Sequence, residues 1–323
     1  MDALLLAGGY GTRLRPLTYT RPKPLLPVAG RPMLEWVLDR LPAEVDRVVV
    51  AVNWLAEELE AYFEGRTDRE YVVVRESEPL GTAGAVKNCE AHLKGDRFFV
   101  LNGDVVSDMD LDAMVQQHQA TGAVGTISLK EVPEADVVNF GVVSLAQDDP
   151  QRITGFVEKP ARPELAPSRL INAGAYLLER RVLDLIPAGQ MVSMEKEIFP
   201  QLLEPGFYGW RFDGLWVDVG DPDRLRAATA ALDPDFVHGT DCIIDGTVTD
   251  SVLGNGCTVG AGANVVNSVL GDRATVDAGV TLTGCVVGDD QHVTASATNA
   301  RVGIEARPAG YPDKQVGNAL TQQ

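Results

Sequence analysis

The chain has 323 residues, with 46 acidic and 28 basic side chains and a formal net charge of −18 at pH 7. A chain this acidic repels nucleic acids and anionic membranes, so we expect neither as a partner, and the same acidity is typical of salt-adapted (halophilic) proteins. No window approaches the ~18 uninterrupted apolar residues that a membrane helix needs, and the first residues lack the positive region of a secretory signal. We therefore expect a cytoplasmic protein, long enough for one large domain and a smaller one.

The first hundred residues alternate between apolar runs and helical patterns. Four apolar runs predict buried parallel strands, at residues 3–8, 45–52, 71–76 and 97–104. Helical patterns separate them, at 33–41, 54–63 and 81–93. Strand–helix alternation predicts right-handed crossovers and hence an α/β, doubly wound, Rossmann-like sheet. Further strands are expected at 123–129, 139–145, 152–157, 171–178 and 206–218, and a last helix at 222–232.

From residue 242 to residue 293 the helical patterns stop, and aliphatic residues recur in steps of five or six. They are Val248, Leu253, Val259, Val265, Leu270, Val276, Leu282, Val287 and Val293. The steps repeat every 17 residues as three short faces, which predicts a small left-handed parallel β-helix of the hexapeptide type. We therefore predict a first domain over 1–232, a β-helix domain over 233–298 and a C-terminal tail over 299–323. Because stacked coils commonly pair, we expect a homo-oligomer assembled through the β-helix.

One segment departs from the acidity of the chain. Residues 4–34 read LLLAGGYGTRLRPLTYTRPKPLLPVAGRPML, with five basic residues and no acidic one. A glycine-rich turn after a strand exposes backbone N–H groups to phosphate oxygens, and the prolines at 22, 24 and 27 stiffen the part that carries Lys23. Neither G-x-G-x-x-G nor a Walker A loop fits, because the sixth position from Gly9 is Leu14 and the chain has no Gly-Lys pair. The segment predicts a phosphate-binding site of another kind.

The same segment resembles the signature of the sugar-nucleotide pyrophosphorylases, the nucleotidyltransferases that join an NTP to a sugar 1-phosphate. Further motifs follow in the family's order: EPLGTAGAV (78–86), VLNGDV (100–105), NFGVV (139–143), FVEKP (156–160), NAGAYLL (172–178), SMEKEIFPQL (193–202) and WVDVGDPDRL (216–225). The resemblance spans about residues 1–232, which it identifies as a nucleotidyltransferase catalytic domain, and the β-helix also fits longer members of the family. It implies that a sugar phosphate oxygen attacks the α-phosphorus of the NTP and that pyrophosphate leaves. Such catalysis is expected to depend on positioning and electrostatics, without a covalent nucleophile.

The resemblance implies roles for matching residues. Arg13, beside the glycine turn, is expected to neutralise the triphosphate and the leaving pyrophosphate, with help from Lys23. Asp104 and Asp218 match the family's ligands for Mg²⁺, an ion that bridges carboxylates and phosphates. The nucleotide-binding positions are Leu6, Ala7, Gly8, Gly9, Gly11, Thr12, Glu76, Gly81 and Thr82. The positions for the sugar phosphate are Lys159, which matches the lysine that grips the phosphate, and Gly141, Glu158 and Asn172, which match positions that bind sugar hydroxyls.

Glu76 bears on the choice of base. It lies five residues before Gly81, where thymidylyl- and uridylyltransferases typically have Gln, whose amide both donates and accepts. A carboxylate only accepts, so it can receive the two adjacent donors of guanine, N1–H and the 2-amino group. PLGTAG and SMEKEIFP are also more similar to the mannose-1-phosphate guanylyltransferase branch. We therefore expect GTP and mannose 1-phosphate as substrates, with UTP or dTTP and glucose 1-phosphate as the alternative.

Three other functions stay open at this point. A metal-dependent glycosyltransferase often uses a D-x-D motif, which Asp108-Met109-Asp110 supplies, although these residues also fit the N-terminal cap of a helix that begins at 111. An acyltransferase, which the β-helix suggests, needs a general base, and the solenoid offers only His292. A catalytically silent regulatory subunit is the third possibility. It is disfavoured because the chain retains the full set of matched residues, Arg13, Lys23, Asp104, Lys159 and Asp218.

Overall fold

The computed structural model describes residues 1–305, which form two compact units. The first unit combines Met1–Gly9 with Trp36–Trp216, and the second combines Tyr10–Glu35 with the described residues from Val217 onward. The predicted C-terminal tail covers 299–323, and its residues from 306 onward lie outside the described part of the chain. Within residues 1–305, no helix combines the length and the apolar character that crossing a membrane requires.

The strands and helices of the first 232 residues are numbered along the chain. The strands are β1 (Asp2–Leu6), β2 (Pro27–Val28), β3 (Arg31–Pro32), β4 (Arg47–Val52), β5 (Glu70–Arg75), β6 (Arg97–Asn102), β7 (Val105–Ser107), β8 (Gly125–Glu131), β9 (Gly141–Leu145), β10 (Ile153–Glu158), β11 (Leu170–Glu179), β12 (Phe207–Arg211) and β13 (Trp216–Asp218). The helices are α1 (Met33–Leu38), α2 (Ala56–Phe63), α3 (Gly81–Asn88), α4 (Leu111–Thr121), α5 (Phe199–Gly206) and α6 (Pro222–Leu232). A π-helical turn, Met194–Ile198, leads into α5.

The first unit is organised around a nine-stranded sheet in which β5, β4, β1 and β6 are parallel neighbours. On the other side of β6 the sheet is mixed, because β11 runs antiparallel to β6 and leads to β9, β10, β8 and β12. The short connection between β9 and β10 allows only antiparallel pairing, since a parallel crossover needs about a dozen residues or more. The predicted Rossmann-like α/β fold is therefore confirmed, with an antiparallel extension.

Phe199, at the start of α5, fixes this part of the chain against the sheet. Its ring centroid lies 5.3 Å from that of Phe156 on β10, 5.1 Å from that of Tyr176 on β11 and 5.0 Å from that of Phe207 on β12. Buried aromatic pairs at such distances contribute about 0.5–1.5 kcal/mol each beyond their area burial. The packing therefore holds the turn Met194–Ile198, which directly precedes Phe199, beside β10.

The carboxyl ends of β1, β4 and β6 meet at one edge of the sheet. Leu6, the last residue of β1, is in register with Ala51 of β4 and Asn102 of β6. The N–H of Ala7 donates to the carbonyl of Ala51 at 2.9 Å, and the N–H of Gly103 donates to the carbonyl of Leu6 at 3.1 Å. Open α/β sheets bind ligands beyond the carboxyl ends of their strands. Residues that directly follow these strands are therefore the first candidates for a site.

Several predicted elements are shorter than expected, and the differences are largest for those over 206–218 and 81–93. The predicted strand over 206–218 is divided into β12 and β13, because the chain bends at Gly214. The carbonyls of Asp213 and Gly214 accept from Lys130 Nζ at 2.6 and 2.7 Å. An Asp-Gly pair favours such a change of direction, and the apolar residues on both sides make it hard to recognise in the sequence. The predicted helix over 81–93 ends at Asn88 and is followed by a 3₁₀ turn.

The second unit contains the predicted parallel β-helix. Its strands are β14 (Ile243–Ile244), β15 (Thr247–Thr249), β16 (Val252–Leu253), β17 (Thr258–Val259), β18 (Asn264–Val266), β19 (Val269–Leu270), β20 (Thr275–Val276), β21 (Thr281–Thr283), β22 (Val286–Val287), β23 (His292–Val293), β24 (Ala297–Thr298) and β25 (Arg301–Val302). They form three four-stranded parallel sheets, one for each predicted face. Leu253 pairs with Leu270 and Leu270 with Val287, so the 17-residue period is confirmed. β25 lies beyond 298, the predicted end of the repeats, because Val302 continues the stack on Val287.

The second unit also contains residues 10–35, the larger part of the basic segment. Leu17 and Leu26 of this segment line one small cavity together with Leu225 of α6 and Leu270 of the β-helix. The compact units therefore differ from the predicted order of domains, which kept the basic segment with the sheet. Domain boundaries defined by function stay a prediction.

Candidate functional site

The glycine-rich turn is built around Gly11 in the second unit. Its φ of 60° lies in the left-handed region, and a Cβ there would come 2.6 Å from Thr18 Cγ2. Thr18 Oγ1 donates to the carbonyl of Gly11 at 3.0 Å, which closes the loop between them. Any other residue at position 11 would be strained both by its backbone and by this contact. Thr12 and the exposed Arg13 follow in the 3₁₀ turn Thr12–Leu14.

Lys23 is buried, which is an uncommon environment for a lysine. It begins the 3₁₀ turn Lys23–Leu25, and the N–H of Leu26 donates to its carbonyl at 3.0 Å. Pro22, with φ −60°, precedes it and Pro24 follows it. Since a proline ring fixes φ, the backbone that carries Lys23 is held rigidly from both sides.

Arg13 lies beside the segment that follows β13. A Cβ on Gly220 would be 2.7 Å from Arg13 Nη2, so glycine leaves room for the guanidinium. Gly220 is two residues after Asp218, whose Oδ2 lies 3.4 Å from Arg224 Nη1. Asp221 caps α6 by accepting from the N–H of Arg224 at 2.9 Å. Within the second unit, Arg13 thus lies beside the short stretch of chain, residues 218–220, that begins with the predicted residue Asp218.

In the first unit, Glu76 lies across from Gly8. Its N–H donates to the carbonyl of Val52 at 2.7 Å, and its Oε2 accepts from the N–H of Leu80 at 3.3 Å. A Cβ on Gly8 would be 3.5 Å from Glu76 Oε1, so this oxygen faces the backbone of the glycine-rich turn. Burial raises the pKa of Glu76 above its ordinary value, and the hydrogen bond from Leu80 opposes the rise. The carboxylate is therefore a partly desolvated acceptor beside the turn.

Among the remaining predicted residues of this turn, Gly9 has open space beside it. Leu6 ends β1, and the N–H of Ala7 continues the ladder to β4. A Cβ on Gly9 would meet no atom of the described chain within 4 Å. The backbone of Gly9 is thus accessible to a ligand, as phosphate binding requires.

Gly81 and Thr82 begin α3 and are held by the segment before α5. Gly81 has a φ of 72°, and a Cβ there would come 2.6 Å from the carbonyl oxygen of Val192. Thr82 Oγ1 donates to Glu195 Oε2 and accepts from the N–H of Met194, both at 2.8 Å. The hydroxyl proton of Thr82 is therefore already donated within the protein. A lone pair of its oxygen remains to accept a hydrogen bond from a ligand.

Gly141 begins β9, Glu158 ends the paired strand β10, and Lys159 directly follows it. A Cβ on Gly141 would be 2.7 Å from Glu158 Oε2, so a side chain at 141 would displace this carboxylate. Lys159 adopts a left-handed φ of 46°, and its N–H donates to the carbonyl of Phe140 at 3.0 Å. Its Nζ lies 3.8 Å from Glu158 Oε1, at a half-exposed position. The lysine predicted to grip a phosphate is thus adjacent to a carboxylate predicted to bind a hydroxyl.

Asn172 lies on β11, beside these residues. Its Nδ2 donates to the hydroxyl of Tyr176 at 3.0 Å, and its Oδ1 accepts from the N–H of Gly174 at 3.0 Å. Burial raises the pKa of Tyr176, and the negative charges of Glu195, Glu158 and Asp104 raise it further. The Tyr176 hydroxyl therefore stays protonated and holds the amide of Asn172 in a fixed orientation.

Asp104 follows β6 at the carboxyl edge of the sheet, in the first unit, whereas Asp218 belongs to the second. Among residues 1–305, no three His, Cys, Asp or Glu side chains come together as a ready metal site. Mg²⁺ commonly takes only one or two carboxylates and completes its shell with phosphate and water oxygens. Each aspartate on its own is a partly exposed oxygen donor of the kind that Mg²⁺ prefers.

The structure also shows the surroundings of two features that favoured other functions. Asp110 caps α4 by accepting from the N–H of Ala113 at 2.9 Å, as the helix interpretation of the D-x-D motif predicted. Asp108 packs against Gly214, where a Cβ would collide with its carboxylate. His292 is exposed on the β-helix, and its Nε2 lies 2.6 Å from Asp277 Oδ1.

Comparison with known proteins decides the family. Residues 2–234 match the family model described as Nucleotidyl transferase, which covers more than half of the chain. The chain belongs to the nucleotidyl transferase family. Residues 228–310 of this nucleotidyl transferase match a second model, described as GlmU-like, C-terminal hexapeptide.

Similar proteins carry two kinds of name. The mannose-1-phosphate guanylyltransferase of Mycobacterium tuberculosis is 37% identical over 283 residues, which cover 82% of this nucleotidyl transferase and 76% of the relative. The mannose-1-phosphate guanyltransferase of Candida albicans is 40% identical over 268 residues, covering 76% and 72%. The UTP–glucose-1-phosphate uridylyltransferase of Synechocystis is 39% identical over 253 residues, covering 72% and 63%.

Solved structures share the fold of the nucleotidyl transferase. A UDP-glucose pyrophosphorylase from Acinetobacter baumanii superposes with a TM-score of 0.65 at 23% identity, covering 71% of this chain and 92% of that one. HddC from Yersinia pseudotuberculosis, complexed with GMP-PN, superposes with a TM-score of 0.57 at 25% identity, covering 72% and 99%.

Two residues of the nucleotidyl transferase join the predicted sets without having been singled out from the sequence. A Cβ on Gly8 would be 3.7 Å from Asn53 Nδ2, and Asn53 Oδ1 is buried without a hydrogen-bond partner among the described residues. A buried acceptor without a partner costs about 1–3 kcal/mol, which makes Asn53 a candidate to bind a ligand. Burial is the larger cause of the raised pKa of Glu158, and the negative charge of Glu195 raises this pKa further. A polar residue directly after a buried strand was the available signal for Asn53, and the SMEKEIFPQL motif was the signal for Glu195.

Proposed function

We propose that this nucleotidyl transferase joins GTP to mannose 1-phosphate, giving GDP-mannose and pyrophosphate. The family and the names of the Mycobacterium and Candida relatives support this reaction. The observation that carries the choice of base is the carboxylate of Glu76 beside Gly8. UTP or dTTP with glucose 1-phosphate is the second candidate, which the name of the Synechocystis relative favours.

Guanine suits the environment of Glu76 better than a pyrimidine does. Guanine presents two adjacent donors, N1–H and the 2-amino group, which one carboxylate accepts together. Uracil or thymine would place a carbonyl oxygen against the carboxylate with no proton between them. Because Glu76 is partly desolvated, both the attraction and the repulsion are stronger than they would be in water. The amide of Asn53, on the other side of Gly8, is a further candidate contact for the base or the ribose.

The phosphates of the NTP are assigned to the glycine-rich segment. Backbone N–H groups of Gly8, Gly9, Gly11 and Thr12 would bind phosphate oxygens, since no side chain shields the glycines. Arg13 would neutralise charge that develops on the leaving pyrophosphate, and Lys23 would assist it from its rigid turn. Catalysis would then consist of holding the sugar phosphate oxygen in line with the α-phosphorus.

Mg²⁺ is the proposed cofactor, with Asp104 and Asp218 as its protein ligands. Their carboxylate oxygens fit this ion, and each lies at or just after the end of a strand with part of its surface exposed. When bound, Mg²⁺ neutralises phosphate oxygens and orients them. Asp218 stays oriented through its contact with Arg224.

The sugar phosphate is assigned to the cluster on β9, β10 and β11. Lys159, with its half-exposed ammonium, would bind the phosphate, and Glu158 and Asn172 would bind sugar hydroxyls. Gly141 leaves the space in which the Glu158 carboxylate lies. The negative charge of Glu195 would raise the pKa of this carboxyl group.

We also propose that the protein assembles as a homo-oligomer through its β-helix and is adapted to high salt. Ile243, on the first coil, is 57% exposed, which favours a contact surface there. A net charge of −18 makes self-repulsion strong at low ionic strength. Light scattering at low and high salt measures the mass of the assembly and its dependence on salt.

The experiment that tests the proposed function is a matrix of NTPs against sugar 1-phosphates, scored by pyrophosphate release at low and high salt. We expect the highest kcat/KM with GTP and mannose 1-phosphate, and no release when the sugar phosphate is omitted. A preference for UTP or dTTP with glucose 1-phosphate would establish the second candidate instead. Absence of release with every pair would overturn both.

A further inference from the structure

Arg21 is a basic residue of the glycine-rich segment to which the proposed reaction gives no role. Its Nη2 lies 2.6 Å from Asp272 Oδ2 and 3.8 Å from Asp289 Oδ2. The neighbouring Thr20 Oγ1 donates to the same Oδ2 of Asp289 at 2.7 Å. Two consecutive residues of the segment are therefore tied to two aspartates of the β-helix, all within the second unit.

The two aspartates occupy equivalent positions on successive coils. Asp289 Oδ1 accepts from the N–H of Asp272, and Asp272 Oδ1 accepts from the N–H of Asn255, both at 2.9 Å. A glycine on the preceding coil makes room for each carboxylate, because a Cβ on Gly271 or Gly254 would lie 2.3 or 2.4 Å from these oxygens. One oxygen of each carboxylate is thus used inside the β-helix, and the other is directed to Arg21.

The charges of this arrangement make Arg21 hard to displace. The side chains of Asp272 and Asp289 are only 10% and 8% exposed. Strands of neighbouring coils lie about 4.7–4.9 Å apart, so two poorly hydrated like charges face each other across one coil spacing. The guanidinium of Arg21 offsets their repulsion, and its removal would leave both buried carboxylates without the cation that contacts them.

The contacts of Arg21 with Asp272 and Asp289 form an anchor close to Lys23, the lysine that is proposed to assist catalysis. Arg21 is two positions before Lys23, and Pro22 between them restricts the backbone. Tyr19 reinforces the attachment by donating to the carbonyl of Ile304 at 3.1 Å. The guanidinium of Arg301 also donates to the carbonyl of Arg15. Residues 15–21 are therefore held to the β-helix by several polar contacts before the chain reaches Lys23.

We infer that Arg21 is a positioning residue through which Asp272 and Asp289 of the β-helix hold the segment carrying Arg13 and Lys23 in its reactive geometry. The β-helix is then a support of the phosphate-binding segment in addition to any part in assembly. Loss of the anchor lowers kcat, because misplaced charges stabilise the transition state poorly. The inference rests on the proposed function as far as catalysis is concerned, while the anchoring itself can be measured without it.

The test uses the full chain with the double substitution Asp272→Asn and Asp289→Asn. Asparagine keeps the Oδ1 acceptor that each neighbouring coil needs and removes only the charge that faces Arg21. The matched control is Asp290→Asn, which removes an exposed ion pair with Arg273 on the same coils. Amide hydrogen exchange of residues 11–28, kcat, the KM for NTP and the thermal midpoint are measured for each protein.

We expect exchange of residues 11–28 to be about tenfold faster or more in the double variant, with the rest of the chain and the thermal midpoint close to those of the control. We also expect kcat to be about tenfold lower with a smaller change in KM, and Arg21→Lys, which keeps the charge, to give intermediate values. Exchange and kcat equal to those of Asp290→Asn would overturn the inference. So would a loss of kcat that only accompanies a general fall in the thermal midpoint. If the wild-type chain releases no pyrophosphate, the proposed function fails, and the exchange measurement still decides the anchoring.

Discussion

The guanidinium of Arg13 lies against the backbone of Gly220, where a Cβ would be 2.7 Å from Nη2 and 3.2 Å from Cζ. Gly220 follows Asp218 by only two residues, and its N–H donates to the carbonyl of Asp218 at 2.8 Å. The second unit thus brings a cation of the glycine-rich segment to the stretch of chain that carries a proposed Mg²⁺ ligand. A reaction on a triphosphate needs both kinds of charge.

The first prediction concerns Arg13. If its guanidinium stabilises charge that develops on the leaving pyrophosphate, Arg13→Ala lowers kcat by ~10²-fold or more. Steady-state pyrophosphate release with saturating substrates measures the effect. A change confined to the KM for NTP would mean that Arg13 contributes only uniform binding.

A second variant separates position from charge at this site. Gly220→Ala places a methyl group where the guanidinium tip lies, so we expect it to displace Arg13 and to lower kcat without removing any charge. Because both substitutions act through one guanidinium, the variant with both should resemble Arg13→Ala alone. Additive losses would contradict this reading of the contact.

The second prediction concerns Mg²⁺. Asp104→Asn and Asp218→Asn each remove most of the Mg²⁺-dependent turnover while the fold is kept, because asparagine preserves the size of the side chain but not the charge. Turnover is measured over a titration of Mg²⁺, with circular dichroism as the check on folding. The control is Asp108→Asn with Asp110→Asn, in which asparagine still caps α4. Normal turnover of both site variants at saturating Mg²⁺, or loss of turnover in the control, would contradict the assignment.

The third prediction concerns the base. Glu76→Gln shifts the ratio of kcat/KM values away from GTP and toward UTP or dTTP, because an amide both donates and accepts. Since burial raises the pKa of Glu76, the preference of the wild type for GTP should weaken as acidic pH protonates this carboxyl group. Glu78→Gln, an exposed neighbour, serves as the control. A GTP preference unchanged by Glu76→Gln would show that another group reads the base.

The fourth prediction concerns the pH dependence of stability. His118 is buried, with Nδ1 2.8 Å from Thr126 Oγ1 and Nε2 3.2 Å from Glu179 Oε1. Burial lowers the pKa of His118 below 6.5, although Glu179 opposes the shift. The folded state then resists protonation that the unfolded state accepts, so the free energy of unfolding falls as the pH drops below about 6.5.

Urea unfolding at about pH 5 and about pH 7.5 measures this effect. His118→Gln should reduce the difference between the two free energies of unfolding, and the same substitution at exposed His238 is the control. An equal pH dependence in wild type and His118→Gln would contradict the prediction.

Elements defined by local chemistry could be predicted from the sequence. The bounds of α6 agree with the prediction because Asp221 and Pro222 form a recognisable N-terminal cap. The β-helix was predictable because its stacking contacts repeat at a fixed spacing of 17 residues. In both cases the information lies within a short stretch of chain.

Contacts between distant parts of the chain could not be predicted in this way. Arg21 and Asp272 are separated by 251 positions, and nothing near either residue indicates the other. Glu195 acts on Glu158 only because the packing of Phe199 places the turn before α5 beside β10. Asn53 follows a strand, as many polar residues do. That its amide oxygen has no hydrogen-bond partner among residues 1–305 is visible only in the folded chain.

The most direct test of guanylyl transfer follows the α-phosphate of GTP. With GTP labelled at the α-phosphate and with unlabelled mannose 1-phosphate, we expect the label to appear in a sugar-linked diphosphate that still contains guanosine, in equal amount to the pyrophosphate released. Mass spectrometry of the product identifies the two linked phosphates. Label recovered as GMP or GDP, with no sugar attached, would contradict nucleotidyl transfer.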